Sequence, residues 1–379
     1  MLLSPTPDQD FFRETTGRFL GDRLPVNELR RLRDDPVGFT SRYWAEGAEL
    51  GWTSLLVGED HGGGSISGSG LVDLTLVAFE FGRHAAPGPL VATNVVAAAL
   101  SRAGGLQGDV LEGLLAGTTV ASWCYAEAAP SDGLGEVALE IAPDGDSFVL
   151  SGTKRPVEAG GQADHLLVTG RTGDGLTQVL VPANANGVSV QPMRSVDLTR
   201  RFATVTFDEV RVPASALVGD VGMAADDVER QLLQAIVLVC AETVGAMQTA
   251  FEVTVEWAFD RYSFGRPLAS YQALKHRFAD MRSWLEGGHA VSDAAAVAVA
   301  TDSSPDTVEL ASAAKAFVGH YGPELGQDCV QMHGGIGVTF EHDLHLYLRR
   351  ITVDAALYGT PAEHRRRIAE IVREKESAA

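Results

Sequence analysis

The chain has 379 residues, 45% of them hydrophobic and 21% charged, with 50 acidic against 30 basic side chains and a formal net charge of −20. That length suits two or three domains with well-filled cores, and the acidic field repels nucleic acid and anionic membrane, so both are discounted as partners. Cys124, Cys240 and Cys329 are odd in number without CxxC spacing, and the start MLLSPTPDQDFF lacks the pattern of a signal peptide; buried reduced thiols in a cytoplasmic protein without a membrane span are expected.

Residues 1–117 read as a helical domain. DQDFFRETTGRFL, GFTSRYWAEGAELGW and LVDLTLVAFEFGRH place apolar residues three and four apart. Between them LLVGEDHGGGSISGSG (55–70) carries three adjacent glycines, but no strand-Gly-Lys-Ser/Thr arrangement accompanies them, so a plain flexible loop is expected. Residues 118–219 change texture to short β-branched runs such as HLLVTGR, TQVLVPA and ATVTFDEVRVP, separated by Gly, Asp, Pro and Asn. They read as a compact β domain, a barrel or sandwich. Strands in succession, without alternating helices, argue against a doubly wound dinucleotide fold.

Residues 220–379 return to helices, predicted over Ala224–Arg261, Tyr271–Thr301, Thr307–Cys329 and Ala362–Lys375, with a joint at TDSS and Pro305. Four long helices with short connections predict a bundle. The fold class is therefore α+β and multidomain: helical domain, central β barrel or sandwich, carboxyl four-helix bundle.

Three stretches in this last part carry chemistry. In QMHGGIGVTFEHDLHLYLRR (331–350), Gly334, Gly335 and Gly337 let backbone amides approach an anionic group such as a pyrophosphate. His333, His342 and His345 lack the spacing of a metal site, and helix-cap or surface roles suit them better. In RYSFGRPLASYQALKHRFADM (261–281), Arg261 and Arg266 flank a Phe264-Gly265 turn ahead of Gln272 and a Lys275-His276-Arg277 cluster. Such a knot either holds a phosphate or stabilises helix ends. ALYGTPAEH (356–364) must break the chain at Gly359-Thr360-Pro361, as an ordinary helix–helix turn does.

The two long motifs, in this order, closely resemble the acyl-CoA dehydrogenase family. EFGR at 80–83, GTK at 152–154 and FDEVRVPASALVG at 207–219 extend the resemblance over nearly the whole chain. The resemblance implies non-covalent FAD, a dimer or dimer of dimers, and α,β-desaturation of an acyl-CoA thioester with electron-transferring flavoprotein as acceptor. It further implies that Arg261, Phe264 and Gln272 meet the FAD phosphates across a subunit boundary. Gln331, His333, Gly334, Gly335 and Gly337 would lie against the adenosine half, with Glu127 and Thr360 nearer the flavin.

The departures concern catalysis. The family's base is usually the Glu of a Tyr-Glu-Gly-Thr turn, which maps onto Leu357-Tyr358-Gly359-Thr360, so Tyr358 replaces it. The alternative position for a base, on the first bundle helix, falls on Ala235, with Leu233 and Ile236 at neighbouring charged positions; Glu242, further along, is a weaker candidate. The flavin-side Trp-Ile-Ser/Thr becomes Pro156-Val157-Glu158, and Thr-Glu-Pro becomes Ala126-Glu127-Ala128, with Ser131-Asp132 following. The leading expectation is the partner chain of a heteromeric acyl-CoA dehydrogenase acting on bulky steroid or polycyclic thioesters. The alternatives are a self-sufficient homomeric flavoenzyme with Tyr358 or Glu242 as base, and a non-catalytic assembly protein that has lost FAD.

Overall fold

The computed structural model describes residues 5–104, 107–127, 136–301 and 306–378. Pro305 and the residues just before it, Ala128 and the Ser131-Asp132 pair lie outside the described residues. The helical start consists of α1 (Pro7–Arg23), α2 (Val26–Leu32), α3 (Ser41–Glu49), α4 (Gly70–Arg83), α5 (Leu90–Arg102) and α6 (Gly108–Leu115). Thr6 opens α1 through a reciprocal cap with Gln9, ahead of Pro7 in the first turn. The glycine-rich stretch after α3 is a loop with one short turn of helix at Glu59–His61. The Asp73 carboxylate pins it by accepting from the amides of Ile66 and Ser67.

Strands follow in succession: β1 (Ala121–Cys124), β2 (Glu140–Asp144), β3 (Ser147–Glu158), β4 (His165–Thr172), β5 (Gly175–Pro182), β6 (Val188–Met193), β7 (Phe202–Pro213) and β8 (Leu217–Val218). They form one eight-stranded mixed sheet in the order β6-β7-β3-β2-β4-β5-β8, with β1 added parallel to β4. The expected barrel or sandwich is thus a single sheet whose pairing ends at β6 and β8. Register shifts between Leu150 and Gly152, and between Lys154 and Val157, bend the long β3–β7 pair. This layer has its own apolar core around Ile141, Leu150, Val168, Val181 and Val205.

The carboxyl part contains α7 (Ala225–Asp260), a small hairpin of β9 (Tyr262–Ser263) and β10 (Arg266–Pro267), α8 (Gln272–Thr301), α9 (Thr307–His333), α10 (Leu344–Asp354) and α11 (Pro361–Ala378). The expected bundle gains a helix: α10 occupies the second half of the segment read as a ligand-binding motif. Among the described residues α7 alone is long and apolar enough to cross a membrane, and it is a core helix with its apolar stretch packed inside the fold. Two glycines seat it on α4. A Cβ on Gly82 would stand 1.9 Å from the Glu242 carbonyl oxygen, and one on Gly245 would stand 2.0 Å from that of Phe79.

Candidate functional site

The break at ALYGTPAEH is both a helix junction and the wall of a cavity. Thr360 caps α11: the Glu363 amide donates to its hydroxyl, while its own amide and hydroxyl donate to the Glu363 carboxylate, each at 2.7 Å. Gly359, at φ 103°, supplies the left-handed step, but Tyr358 before it also sits at φ 55°, a conformation uncommon for a bulky residue. His364 holds the strained carbonyl, donating from Nε2 to Tyr358 O at 3.0 Å. Burial lowers that imidazole to about 4, so the ring is neutral and carries its proton on Nε2.

Tyr358 lines a cavity of 210 Å³ together with Trp123, Tyr125, Phe202, Glu127 and Glu158. Trp123 lies nearly parallel to Tyr125 (centroids 4.6 Å) and to Tyr358 (6.3 Å). Burial, with the Glu158 carboxylate second, pushes the Tyr358 phenol far above its ordinary range. Tyr125 is likewise raised, to about 12. Glu127 is fully engaged: Lys154 donates to it at 2.6 Å, as do the amides of Ala138 and Leu139, and despite burial these keep its carboxyl below the usual range.

Glu242 is corrected as a base. It is 1% exposed and absent from the cavity wall, and its two oxygens are held by the guanidinium groups of Arg200 and Arg350. With both oxygens engaged by arginines and no place on the cavity wall, this carboxylate has no path to a substrate proton. It belongs to a buried charge cluster the sequence did not reveal. Arg350 also donates to Asp197 (2.5 Å), Thr199 (2.6 Å) and the Ala86 carbonyl (3.0 Å), while Arg200 donates to Asp354 (2.6 Å) and approaches Glu158 at 3.1 Å. Lys315 donates to the carbonyl oxygens of Asp354 and Ala355. Ala235, Ile236 and Leu233 are buried core positions of α7.

The residues expected at the cofactor phosphates lie elsewhere, and of them Arg261 and His333 share the Trp257 ring. Arg261 follows α7 with its guanidinium 6.0 Å from the Trp257 ring, and Gln272 opens α8; both are exposed. Phe264 tops the β9–β10 hairpin at φ 50° and is 98% exposed. Gln331 is exposed near the end of α9. His333 stacks on Trp257 at 5.2 Å and donates from Nδ1 to Cys329 O at 2.8 Å, leaving a buried Nε2 with no partner. A Cβ on Gly334 or Gly335 would meet nothing within 4 Å, so those backbones are open to a ligand. Gly337 differs: its Cβ would stand 2.7 Å from Val330 O, so its own chain needs the glycine. None of these residues lines the Tyr358 cavity.

The two halves answer differently to FAD. Exposed Arg261 and Gln272, open Gly334 and Gly335, and the orphaned His333 Nε2 fit a pyrophosphate and a ribose or adenine donor. At the cavity end the side-chain hydroxyl that the resemblance expects beside the ring is replaced by Glu158, and among the described lining residues four are glutamates and none is a lysine or arginine. Among the described residues no three His, Cys, Asp or Glu side chains converge as a metal site. The three cysteines are buried and free, their thiols raised to about 12 by burial.

Comparison with known proteins gives one family. Residues 6–116 match the model of the acyl-CoA dehydrogenase N-terminal domain, and residues 214–372 that of the C-terminal domain. Acyl-CoA dehydrogenase IpdE2 of Mycobacterium tuberculosis is 29% identical over 367 residues, covering 97% of this chain and 98% of that protein. Among solved structures, a variant of the steroid ACAD Tcur3481-Tcur3483 superposes with a TM-score of 0.88 at 27% identity, covering 97% of this chain and 98% of that one. Butyryl-CoA dehydrogenase from Megasphaera elsdenii shares the fold at a TM-score of 0.88 and 23% identity, covering 98% and 100%. A glutaryl-CoA dehydrogenase from Mycobacterium smegmatis with the same fold (TM-score 0.86, 21% identity, covering 97% and 95%) was solved with FADH2. The chain belongs to the acyl-CoA dehydrogenase family of oxidoreductases.

Proposed function

We propose that this chain is the supporting subunit of a heteromeric FAD-dependent acyl-CoA dehydrogenase whose substrates are CoA thioesters of steroid-like, polycyclic acids. The observation that carries the reading is the Tyr358 turn. Where the resemblance expects a carboxylate, the turn presents a half-buried phenol whose proton is held more tightly than usual. A base must be poised near the working pH, and this group is far from it. One further feature supports the reading: the cavity wall carries Glu158 where the resemblance expects a side-chain hydroxyl donor beside the flavin. FAD would accept the hydride, with electron-transferring flavoprotein as its outlet. The roles of this chain's own residues are to pair the pyrophosphate with Arg261 and Gln272, to offer amides at Gly334 and Gly335, and to accept a hydrogen bond at His333 Nε2. The name of one structural neighbour, a steroid ACAD with the paired designation Tcur3481-Tcur3483, supports both the substrate class and the assembly.

The test is Arg261→Ala in the complex formed with a homologous co-expressed chain. Loss of most bound flavin is expected; full retention would contradict the reading. A second reading, a self-sufficient enzyme with Tyr358 as base, draws on that residue's strained backbone facing the cavity. Tyr358→Phe separates the two: the supporting-subunit reading expects turnover of the complex to stay within about threefold, against a loss of about a hundredfold or more for a base.

A further inference from the structure

A second cavity, of 690 Å³, shares no lining residue with the one beside Tyr358. Helices α1, α4, α7 and α8 all contribute to it, so it lies where the helical start packs on the bundle. Leu76, Phe79, Ala241 and Val244 give it an apolar lining. Its volume falls in the range of about 300–1,000 Å³ that holds a drug-sized molecule. Nothing in the dehydrogenase reading uses it.

Two polar groups on this wall are buried and unmet. Glu80 is 7% exposed, and its carboxyl accepts no hydrogen bond among the described residues. Arg83 Nε stands 4.0 Å from it and His84 Nδ1 3.7 Å, both too far; that imidazole donates instead to the Glu80 main-chain oxygen at 2.9 Å. Ser292 is 5% exposed, and its hydroxyl likewise bonds to none of the described residues. Both groups stay open to the cavity. A buried carboxyl or hydroxyl in this state is costly until a partner reaches it. On the same wall His289 donates from Nε2 to Gln248 Oε1 at 3.2 Å, because the Gln248 amide nitrogen is spent on Glu252. Burial lowers that imidazole, so the ring is neutral and Nδ1 offers a lone pair.

This set selects a class of ligand. The Glu80 carboxyl, raised by burial to about 7, donates while it keeps its proton. Ser292 both donates and accepts, and His289 Nδ1 only accepts. A hydroxyl group, donor and acceptor at once, can serve each of them, whereas a ketone serves the donors alone. Cations are disfavoured by Arg13, Arg18 and Arg83 on the wall. An anion finds Arg83 taken by Glu252 and Arg13 by Asp10, which leaves Arg18 on the open rim, bonded to the Thr15 hydroxyl.

We propose that this cavity binds an uncharged, mainly apolar molecule with one hydroxyl group, an alcohol or phenol, whose hydroxyl pairs with the polar groups that Glu80 and Ser292 leave open. The apolar body would lie along Leu76, Phe79 and Val244. The site rests on this cavity and not on the dehydrogenase reading.

The probes are 2-naphthol, 2-methylnaphthalene without the hydroxyl, and 2-naphthoate as the anion, each measured by equilibrium dialysis against the full chain at pH 6. Area burial alone favours 2-methylnaphthalene, the more apolar of the neutral pair. The site is expected to reverse that order and bind 2-naphthol about tenfold tighter, as a pocket with unmet polar groups does. Glu80→Leu should bring 2-naphthol down to the 2-methylnaphthalene level. Ser292→Ala, which removes a single oxygen, should weaken 2-naphthol about threefold or more and serves if Glu80→Leu does not fold. Glu14→Gln on the exposed rim should change it by less than about twofold. Binding of 2-methylnaphthalene as tight as that of 2-naphthol, 2-naphthol binding indifferent to both Glu80→Leu and Ser292→Ala, or 2-naphthoate binding tighter than 2-naphthol would each overturn the proposal.

Discussion

Tyr358 and Glu80 show how much a single position decides. A tyrosine in the left-handed region, pinned by His364 and facing Trp123, is kept where a glycine or asparagine would be easier to accommodate. The sequence identified this position through its resemblance to a known turn, but could not show that the ring would stack. Glu80 is pressed against the backbone at Gly17, where a Cβ would stand 2.8 Å from its carboxylate. Burial raises its carboxyl from 4.5 to about 7, against the pull of Arg83 and Arg13. The folded state therefore holds this proton more tightly than the unfolded chain. Its contribution to stability is present below about pH 4.5 and is lost as pH rises through about 7, on the order of 3 kcal/mol in all. Glu80→Gln should accordingly lose less stability than the wild type between pH 5 and 8 in urea melts. Parallel pH profiles for the two proteins would show that Glu80 titrates normally.

At the scale of elements, long periodic segments were legible and irregular ones were not. The predicted Ala224–Arg261 and Tyr271–Thr301 helices are observed as Ala225–Asp260 and Gln272–Thr301, because apolar spacing is sustained over many turns and the RYSFGRP hairpin separates them. Helix α10 escapes because HDLHLYLRR follows a glycine-rich turn and its two histidines interrupt the apolar spacing, although Leu344, Leu346 and Ile351 are the apolar residues that bury it. What apolar spacing cannot reveal is a backbone approach as close as that of α4 to α7. Gly245→Ala puts a methyl group 2.0 Å from the Phe79 carbonyl oxygen, so the helices must move apart. A loss of about 2–4 kcal/mol is expected in denaturant titration, within the range of overpacking and strain. A change below about 0.5 kcal/mol, typical of an uninvolved surface position, would show that the crossing is not tight.

Across the whole molecule, the buried charge cluster and the divided site matter most. Arg350 reaches the Ala86 carbonyl behind α4, Asp197 beside the sheet and Glu242 on α7, so one side chain from α10 joins all three parts. Nothing in LRRITVD tells which arginine is inside, because burial there is decided by acids more than a hundred residues away in sequence. Arg350→Ala leaves Asp197 and Glu242 without that partner and should cost about 3–5 kcal/mol, read as a lowered melting temperature. A surface pair would cost less than about 1 kcal/mol. The residues proposed for the cofactor phosphates stand out in the sequence because glycine and arginine motifs are local, whereas the acidic cavity does not, because β1, β3 and the Tyr358 turn meet only in the fold. The most direct measurement of the central claim is flavin content and assembled mass, for the chain expressed alone and with a homologous acyl-CoA dehydrogenase chain. The account predicts a protein with little flavin by itself and a yellow hetero-oligomer when co-expressed. A yellow homo-oligomer with one FAD per chain, active on acyl-CoA without a partner, would contradict it.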